Sequence, residues 1–408
     1  MRHLPCFTLA AISVVTLGCG VESRTPSVEW IRDTLPDGTV AARYGRLAEP
    51  QLPPFQTDLS IGVTEGDPNL IFGDVRGIEA GGDGTIYILD YQASEVRAFD
   101  ANGRFLRRLT SKGAGPGELT EANGMVLIGD SALWIQDHGQ GMMIAVDLNG
   151  EELTRVPMHV RSYGYMWNGT IDDRGRFWKP TTHSDEPRQY PPKEGLNEGH
   201  ARVYLKSYDA RAEITDSVFV GEDTYRSFVA RNNQGGHTYR TIPYYPRIIT
   251  IVDPAGGFWH TSGTAYRIAR LDERGDTTLV IEVAAEPLPV TDQDRQRYVS
   301  DEVQSSPDDR RVAEQVAALM PAFKPAIAAL VMDDTGRLWV RRTAAAGETP
   351  TYDVFKPNGD YDGSVTLAFA ASEYLPLRIR RGRVYGLVRD TLDVPSVVRA
   401  APLPAYLR

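Results

Sequence analysis

Along this chain apolar residues fall in short alternating runs broken by Gly, Asp and Asn, and one arrangement keeps returning. An apolar run leads into a turn ending in Gly, and a second apolar run then opens on an aromatic residue. The turn and aromatic read GGDGTIYIL (81–89), IGDSALWIQ (128–136), DDRGRFWKP (172–180), PAGGFWHTS (254–262), DDTGRLWVR (333–341) and RRGRVYGLV (380–388). The aromatics are Tyr87, Trp134, Trp178, Trp259, Trp339 and Tyr385, which use four of the chain's six tryptophans, so chance is a poor explanation. Each copy has a second half: VRAFDANGRFLRRL (96–109), IAVDLNGEEL (144–153), LKSYDARAEI (205–214), IARLDERGDTTLV (268–280) and YDVFKPNGDYDGSV (352–365). The sixth, VVRAAPL (397–403), stops after a third strand. Asp-Gly and Asn-Gly between alternating runs are strong hairpin signals. Each unit is therefore predicted to be a four-stranded antiparallel meander.

Successive aromatics lie 47, 44, 81, 80 and 46 residues apart. A period near 45 with four strands per unit is that of a propeller blade. The expected fold is all-β: a six-bladed β-propeller of four-stranded antiparallel blades over 28–408, closed by an N-terminal strand. TDLSIG (57–62) precedes the first unit and supplies the strand missing from the last, leaving no open seam. The two long intervals carry insertions, at about 180–202 and 287–324. The first is rich in Pro, Glu and His and reads as a long surface loop. The second is predicted to be a small helical insertion. VTDQDRQRYVSDEV (290–303) suggests one helix. SPDDRRVAEQVAALM (306–320) suggests another, with Ser306 as N-cap, Pro307 at N1, and Val312, Val316 and Leu319 on one face. A cap on the propeller is the plainer role for this pair, and partner binding the other.

The chain has 408 residues, 41% hydrophobic and 24% charged, the balance of a soluble globular protein. Its net charge of −10, without a basic stripe, disfavours nucleic acid. After Arg2 and His3, an uncharged apolar run extends to Gly18, too short to span a bilayer and the right length for a signal peptide (1–18). Its end, VTLGC, resembles a bacterial lipoprotein signal, with Cys19 as the acylated residue, although Thr16 stands where Leu is usual. Gly20, rather than Asp, follows the cysteine, which by the same resemblance favours the outer membrane, facing either periplasm or cell surface. Residues 19–27 read as a tether. Cys6 lies in the signal, so the mature chain has one thiol and no internal disulfide.

Residues 77–119, with their DG turn, YILD run, VRAFDANG turn and GAGPGE tail, resemble an NHL repeat. The wider chain is similar to the six-bladed, NHL-type or TolB-like propeller lipoproteins of environmental bacteria, a group largely without assigned activity. The resemblance implies the fold and leaves the function to the site. Aligning the units on the turn glycine places Arg76, Asn123, Trp167 with Asn168, Arg247 with Ile248, Ala328 and Tyr374 where the innermost strands begin. Arg76, Asn123, Asn168, Arg247 and Tyr374 around one funnel could hold a carboxylate, a phosphate or a sugar. The plainer alternative is that the Asn-Gly pairs only turn the chain and the arginines pair with neighbouring acids.

No cofactor is expected from the residues. Calcium is the one candidate, with Glu79, Asn123 and Asn168 as contributors. Six-bladed relatives include calcium lactonases and zinc-dependent lyases. His138, His183 and His260 follow the aromatics of three units at unequal offsets, a weak zinc pattern. Asp90 and Asp137, each closing a second strand, are expected to bind backbone there. Two readings stand. One is an envelope propeller that binds a small anionic or carbohydrate ligand, or an envelope protein, without catalysis. The other is a metal-dependent hydrolase or lyase on the same ring.

Overall fold

The computed structural model describes residues 29–50, 53–157, 170–172, 174, 176–184, 192–208, 213–231, 235–306 and 309–400. The signal segment 1–18, the tether with Cys19, and Trp167 and Asn168 lie outside them.

The chain is mostly β and forms a six-bladed propeller, each sheet holding one repeated unit. Blade one runs Val75–Ala80, Ile86–Asp90, Glu95–Phe99, Phe105–Arg108. Blade two runs Ala122–Ile128, Ala132–Asp137, Met142–Asp147, Glu152–Pro157. Blade three begins with Thr170–Ile171, Phe177–His183 and the long strands Gly195–Tyr208 and Ile214–Arg231. Blade four is Ile249–Val252, Phe258–Thr261, Arg267–Leu271, Thr277–Val283, and blade five is Ile327–Met332, Leu338–Arg342, Thr351–Phe355, Tyr361–Thr366. Blade six has Arg378–Arg380, Arg383–Arg389 and Pro395–Ala400 from the C-terminal end. Thr57–Ile61 is its fourth strand, antiparallel to the third with Ile61 opposite Val397. The ring is thus closed by the strand the sequence supplied for it.

The six aromatics explain why the blades stack. Each lies in the apolar cluster shared with the next blade. Tyr87 is in the cluster between blades one and two, Trp178 between three and four, Trp259 between four and five, Trp339 between five and six, and Tyr385 between six and one. Trp134, half-buried, occupies the wedge between blades two and three. Where the unit begins with Asp, that residue does two jobs. Asp172 and Asp333 accept turn N–H groups with one carboxylate oxygen, and with the other accept the indole N–H of Trp178 at 2.8 Å and Trp339 at 3.1 Å. A buried indole with a partner avoids a desolvation cost.

Three features differ from the sequence expectation. First, residues 30–44, for which the sequence predicts no element, form two strands ahead of the closing one. Trp30–Thr34 and Val40–Tyr44 form a hairpin, and the second strand adds in parallel to the outer edge of blade four. The Tyr44 hydroxyl then donates to the Gly359 carbonyl at 2.7 Å, and Phe55 bridges to Leu367, so this segment straps blades four, five and six. Second, the insertion at 180–202 is not a loop throughout. Thr182 and His183 pair with Val203 and Arg202, while 195–201 pair with 223–229. Gly199, Ala201, Val203, Leu205 and Ser207 are buried in alternation, a strand period that the polar composition conceals. Residues 237–241 add a further strand to this extension.

Third, the helices of the second insertion start differently. The first, Asp292–Ser305, is capped by Thr291 in a reciprocal box with Asp294. Ser306 does not cap the second helix. Its N–H donates to the Glu302 carbonyl at 2.8 Å, so it ends the first helix instead. The second helix, Arg310–Ala318, has Asp309 at its N-cap, without a side-chain cap bond.

Candidate functional site

In a four-strand meander, the start of the inner strand, the second hairpin and the exit of the fourth strand share one end. Six such blades bring every inner-strand start to one face, the mouth. Both insertions leave the ring on this face. The extended strands of blade three and the two helices pack on one another through Phe228, Val312 and Val316. Arg240 bridges to Glu302 and Asp309. Beneath them Lys324 and Asp294 form a fully buried ion pair at 2.6 Å, beside the Tyr244 ring. Burial opposes ionisation of Asp294, but Lys324 and Thr291 overcome it and hold its carboxyl down at about 2. The helical insertion is therefore a fixed cap on the side of blades three and four.

The other half of the mouth, over blades six and one, has a cleft of about 440 Å³, lined by Gly73, Asp74, Gln92, Tyr374, Arg389 and Asp393. Asp90 sets its shape. This buried carboxylate accepts from the N–H groups of Gly73 at 3.0 Å, Asp74 at 3.1 Å and Gln92 at 3.1 Å. The crossing from blade six and the hairpin of blade one are thus pinned to one group. Asp137 does the same in blade two for Thr120 and Glu121. Burial opposes the Asp137 charge, and these N–H donors outweigh it, so its carboxyl lies below the usual range.

Beside the cleft Arg76 is held on several sides. It contacts Asp74 at 2.8 Å, donates to the Asn123 Oδ1 at 2.8 Å, and lies 3.6 Å from the centre of the Tyr91 ring. An arginine has no acceptor, so the Asn123 oxygen must face it and the amide nitrogen must point elsewhere. That nitrogen is buried and has no hydrogen-bond partner among the described residues. Arg389 lies 3.4 Å from Asp74 and 3.3 Å from Asp393. Tyr374, 36% exposed, stands at the rim.

Three of the residues expected at the funnel are thus together: Arg76 touches Asn123, and Tyr374 lines the cleft that Asp74 shares with Arg76. Arg247 is exposed just ahead of blade four, on the opposite side of the ring. Asn168 lies outside the described residues. Glu79 is engaged deeper in the channel wall, where Arg378 of blade six reaches across to it. Burial drives the Glu79 carboxyl up to about 7, with Arg378 opposing. Reasoning from the sequence missed Asp74, Gln92, Arg389 and Asp393. Their signal was present as acidic and basic residues two apart at a blade crossing (Asp74, Arg76) and the two ends of one hairpin (Arg389, Asp393).

For metal chemistry, Glu79 is paired with Arg378 and Asn123 with Arg76. His260 faces Thr250 at 3.1 Å, and burial, then Arg267, push it down to about 4. Among the described residues no three His, Cys, Asp or Glu side chains are grouped as metal ligands. Nor is any helix among them long and apolar enough to cross a membrane.

The family described as 6-bladed beta-propeller (DUF5128) matches residues 67–173. None of the curated proteins matches this sequence. Among solved structures, a protein described as exported from Bacteroides fragilis is 10% identical, covering 89% of this chain and 100% of its own, with a TM-score of 0.47. Virginiamycin B lyase from Staphylococcus aureus is 10% identical, covering 84% and 98%, with a TM-score of 0.40. A protein of unknown function from Bacteroides caccae is 11% identical, covering 72% and 81%, with a TM-score of 0.36.

Proposed function

We propose that this chain is an exported propeller, tethered to the outer membrane through acylated Cys19, that binds a small ligand at the half of its mouth over blades six and one without catalysis. One observation carries the binding role. A polar cleft of about 440 Å³, within the size range of small-molecule sites, lies beside Arg76, whose guanidinium is already fixed by Asp74, Asn123 and Tyr91. Fixing those side chains before a ligand arrives lowers the entropy cost of binding. Arg247, across the ring, is a second contact for a ligand long enough to span the mouth. The tether and anchor are supported by the VTLGC segment.

The test is a thermal-shift screen of the full chain, purified in detergent, against carboxylates, phosphates and saccharides. At a hundredfold excess over its dissociation constant a ligand adds about 2.7 kcal/mol. At least one compound should stabilise the wild type and not Arg76→Ala, while Arg247→Ala reports whether it spans the ring. A screen without any shift, or equal shifts in Arg76→Ala, overturns the mouth as the binding site.

A further inference from the structure

The charges of the cleft restrict what it can hold. Arg389 sits between Asp74 and Asp393, and Arg76 also contacts Asp74. Two arginines meet two aspartates, so the cleft offers no net positive charge. A phosphate or carboxylate entering it would have to break one of these pairs and then face the displaced aspartate. Its remaining groups are planar and of mixed polarity. Arg389 donates, Asp74 and Asp393 accept, and the Gln92 amide does both. The Tyr374 ring stands beside them, 36% exposed.

Vicinal hydroxyls each donate and accept, and planar carboxylate, amide and guanidinium groups match their spacing. A sugar ring also has an apolar face of C–H groups that packs on an aromatic side chain. From this combination we infer that the cleft binds a neutral saccharide, with Tyr374 as the stacking platform and Asp74, Gln92, Arg389 and Asp393 as hydroxyl partners. The inference rests on the reading of the mouth as a ligand site and names the ligand class. The cleft floor is shaped for it. A Cβ on Gly73 would collide with the Gln92 Oε1 and lie 2.8 Å from the Gln92 Cβ, so the Gln92 side chain packs directly against that glycine. Gly73→Ala would lift Gln92 into the space the sugar takes.

The experiment is calorimetric titration of the full chain in detergent with short neutral gluco-, manno-, galacto- and xylo-oligosaccharides. Oligogalacturonate, inorganic phosphate and a dipeptide form the charged arm. At least one neutral oligosaccharide should bind with an affinity little changed by salt, since no net charge is involved. Tyr374→Ala should weaken it by about tenfold, Tyr374→Phe by less, because the ring remains. Gly73→Ala should weaken it while the melting temperature shows the fold retained. Binding confined to the charged arm, lost in Arg76→Ala, would overturn the saccharide assignment and leave the mouth as a ligand site. Binding of a neutral sugar that is unaffected by Tyr374→Ala and Gly73→Ala would overturn this cleft as the sugar site. No binding in either arm would overturn both readings.

Discussion

Replacing Asp90 with asparagine tests the central structural argument, that one buried carboxylate holds the cleft together. Asp90 is 1% exposed. Its Oδ1 accepts from Asp74, Gln92 and, at 3.4 Å, Ala93, while its Oδ2 accepts from Gly73 at 3.0 Å and lies 3.6 Å from Arg97. Asparagine keeps the shape and one acceptor. With its oxygen left at the Oδ1 position, its amide hydrogens point at the Gly73 N–H and the Arg97 guanidinium. One charge-assisted bond, of about 1.5–3 kcal/mol, is lost, and a buried donor is left facing other donors. Arg97 keeps Glu95 and the Ile71 carbonyl, which limits the damage. The expected loss is about 2–4 kcal/mol in urea unfolding, seen as a lower midpoint at constant slope. Asp100 provides the control, since it accepts the same kind of turn bonds from Asn102 and Arg104 but in solvent. Asp100→Asn should cost much less. Amide exchange at Gly73, Asp74 and Gln92 should also quicken in Asp90→Asn, and ligand affinity should fall with it. Equal losses in the two variants, or unchanged exchange at those three amides, would refute the argument.

Glu79 makes stability depend on pH. Its carboxyl is raised by burial to about 7 from an ordinary 4.5, so the folded chain holds this proton more tightly than the unfolded chain. Its contribution is fully present below about pH 4.5 and is lost as pH rises through about 7, on the order of 3 kcal/mol from linkage. Glu79→Gln should flatten that part of the pH profile and be the more stable protein at pH 8, and parallel profiles would show that Arg378 keeps the carboxylate ionised throughout. Cys19→Ala should move the protein from the membrane fraction to the soluble fraction, and continued sedimentation with membranes would remove the lipid anchor from the proposal.

The parts of this molecule that repeat were legible, because the physics that sets them repeats. A wedge between blades needs an aromatic at a fixed place after a tight turn, and Tyr87, Trp178, Trp259, Trp339 and Tyr385 fill such wedges with almost no exposure. The missing strand could be found by counting, since a sixth unit with three strands must be completed elsewhere. The N-terminal hairpin could not be placed in this way. WIRDTLPDGTVAARY contains a turn between two runs, but nothing in it names blade four as its neighbour. That choice appears only in the fold, where Val40–Tyr44 pairs in parallel with Leu279–Val283 of blade four and the Tyr44 hydroxyl meets the Gly359 carbonyl and the Tyr361 N–H of blade five, some three hundred residues away. The cleft divides along the same line. Arg76 and Asn123 were found because each starts an inner strand, a position the repeat defines. Arg389 and Asp393 sit in a hairpin of blade six, and Gln92 in a hairpin of blade one. Each belongs to the site only because Asp90 ties the blade-one hairpin to the crossing from blade six. Function in this ring is assembled from the departures between blades, whereas periodicity reports what they share. The same contrast bears on the charge of the mouth, for which the sequence allowed either a funnel for a carboxylate, phosphate or sugar or arginines paired with neighbouring acids, and Arg76 is paired with Asp74. Two arginines were visible at repeat positions, while Asp74 and Asp393, which neutralise one of them and the neighbouring Arg389, lie in segments that no repeat defines.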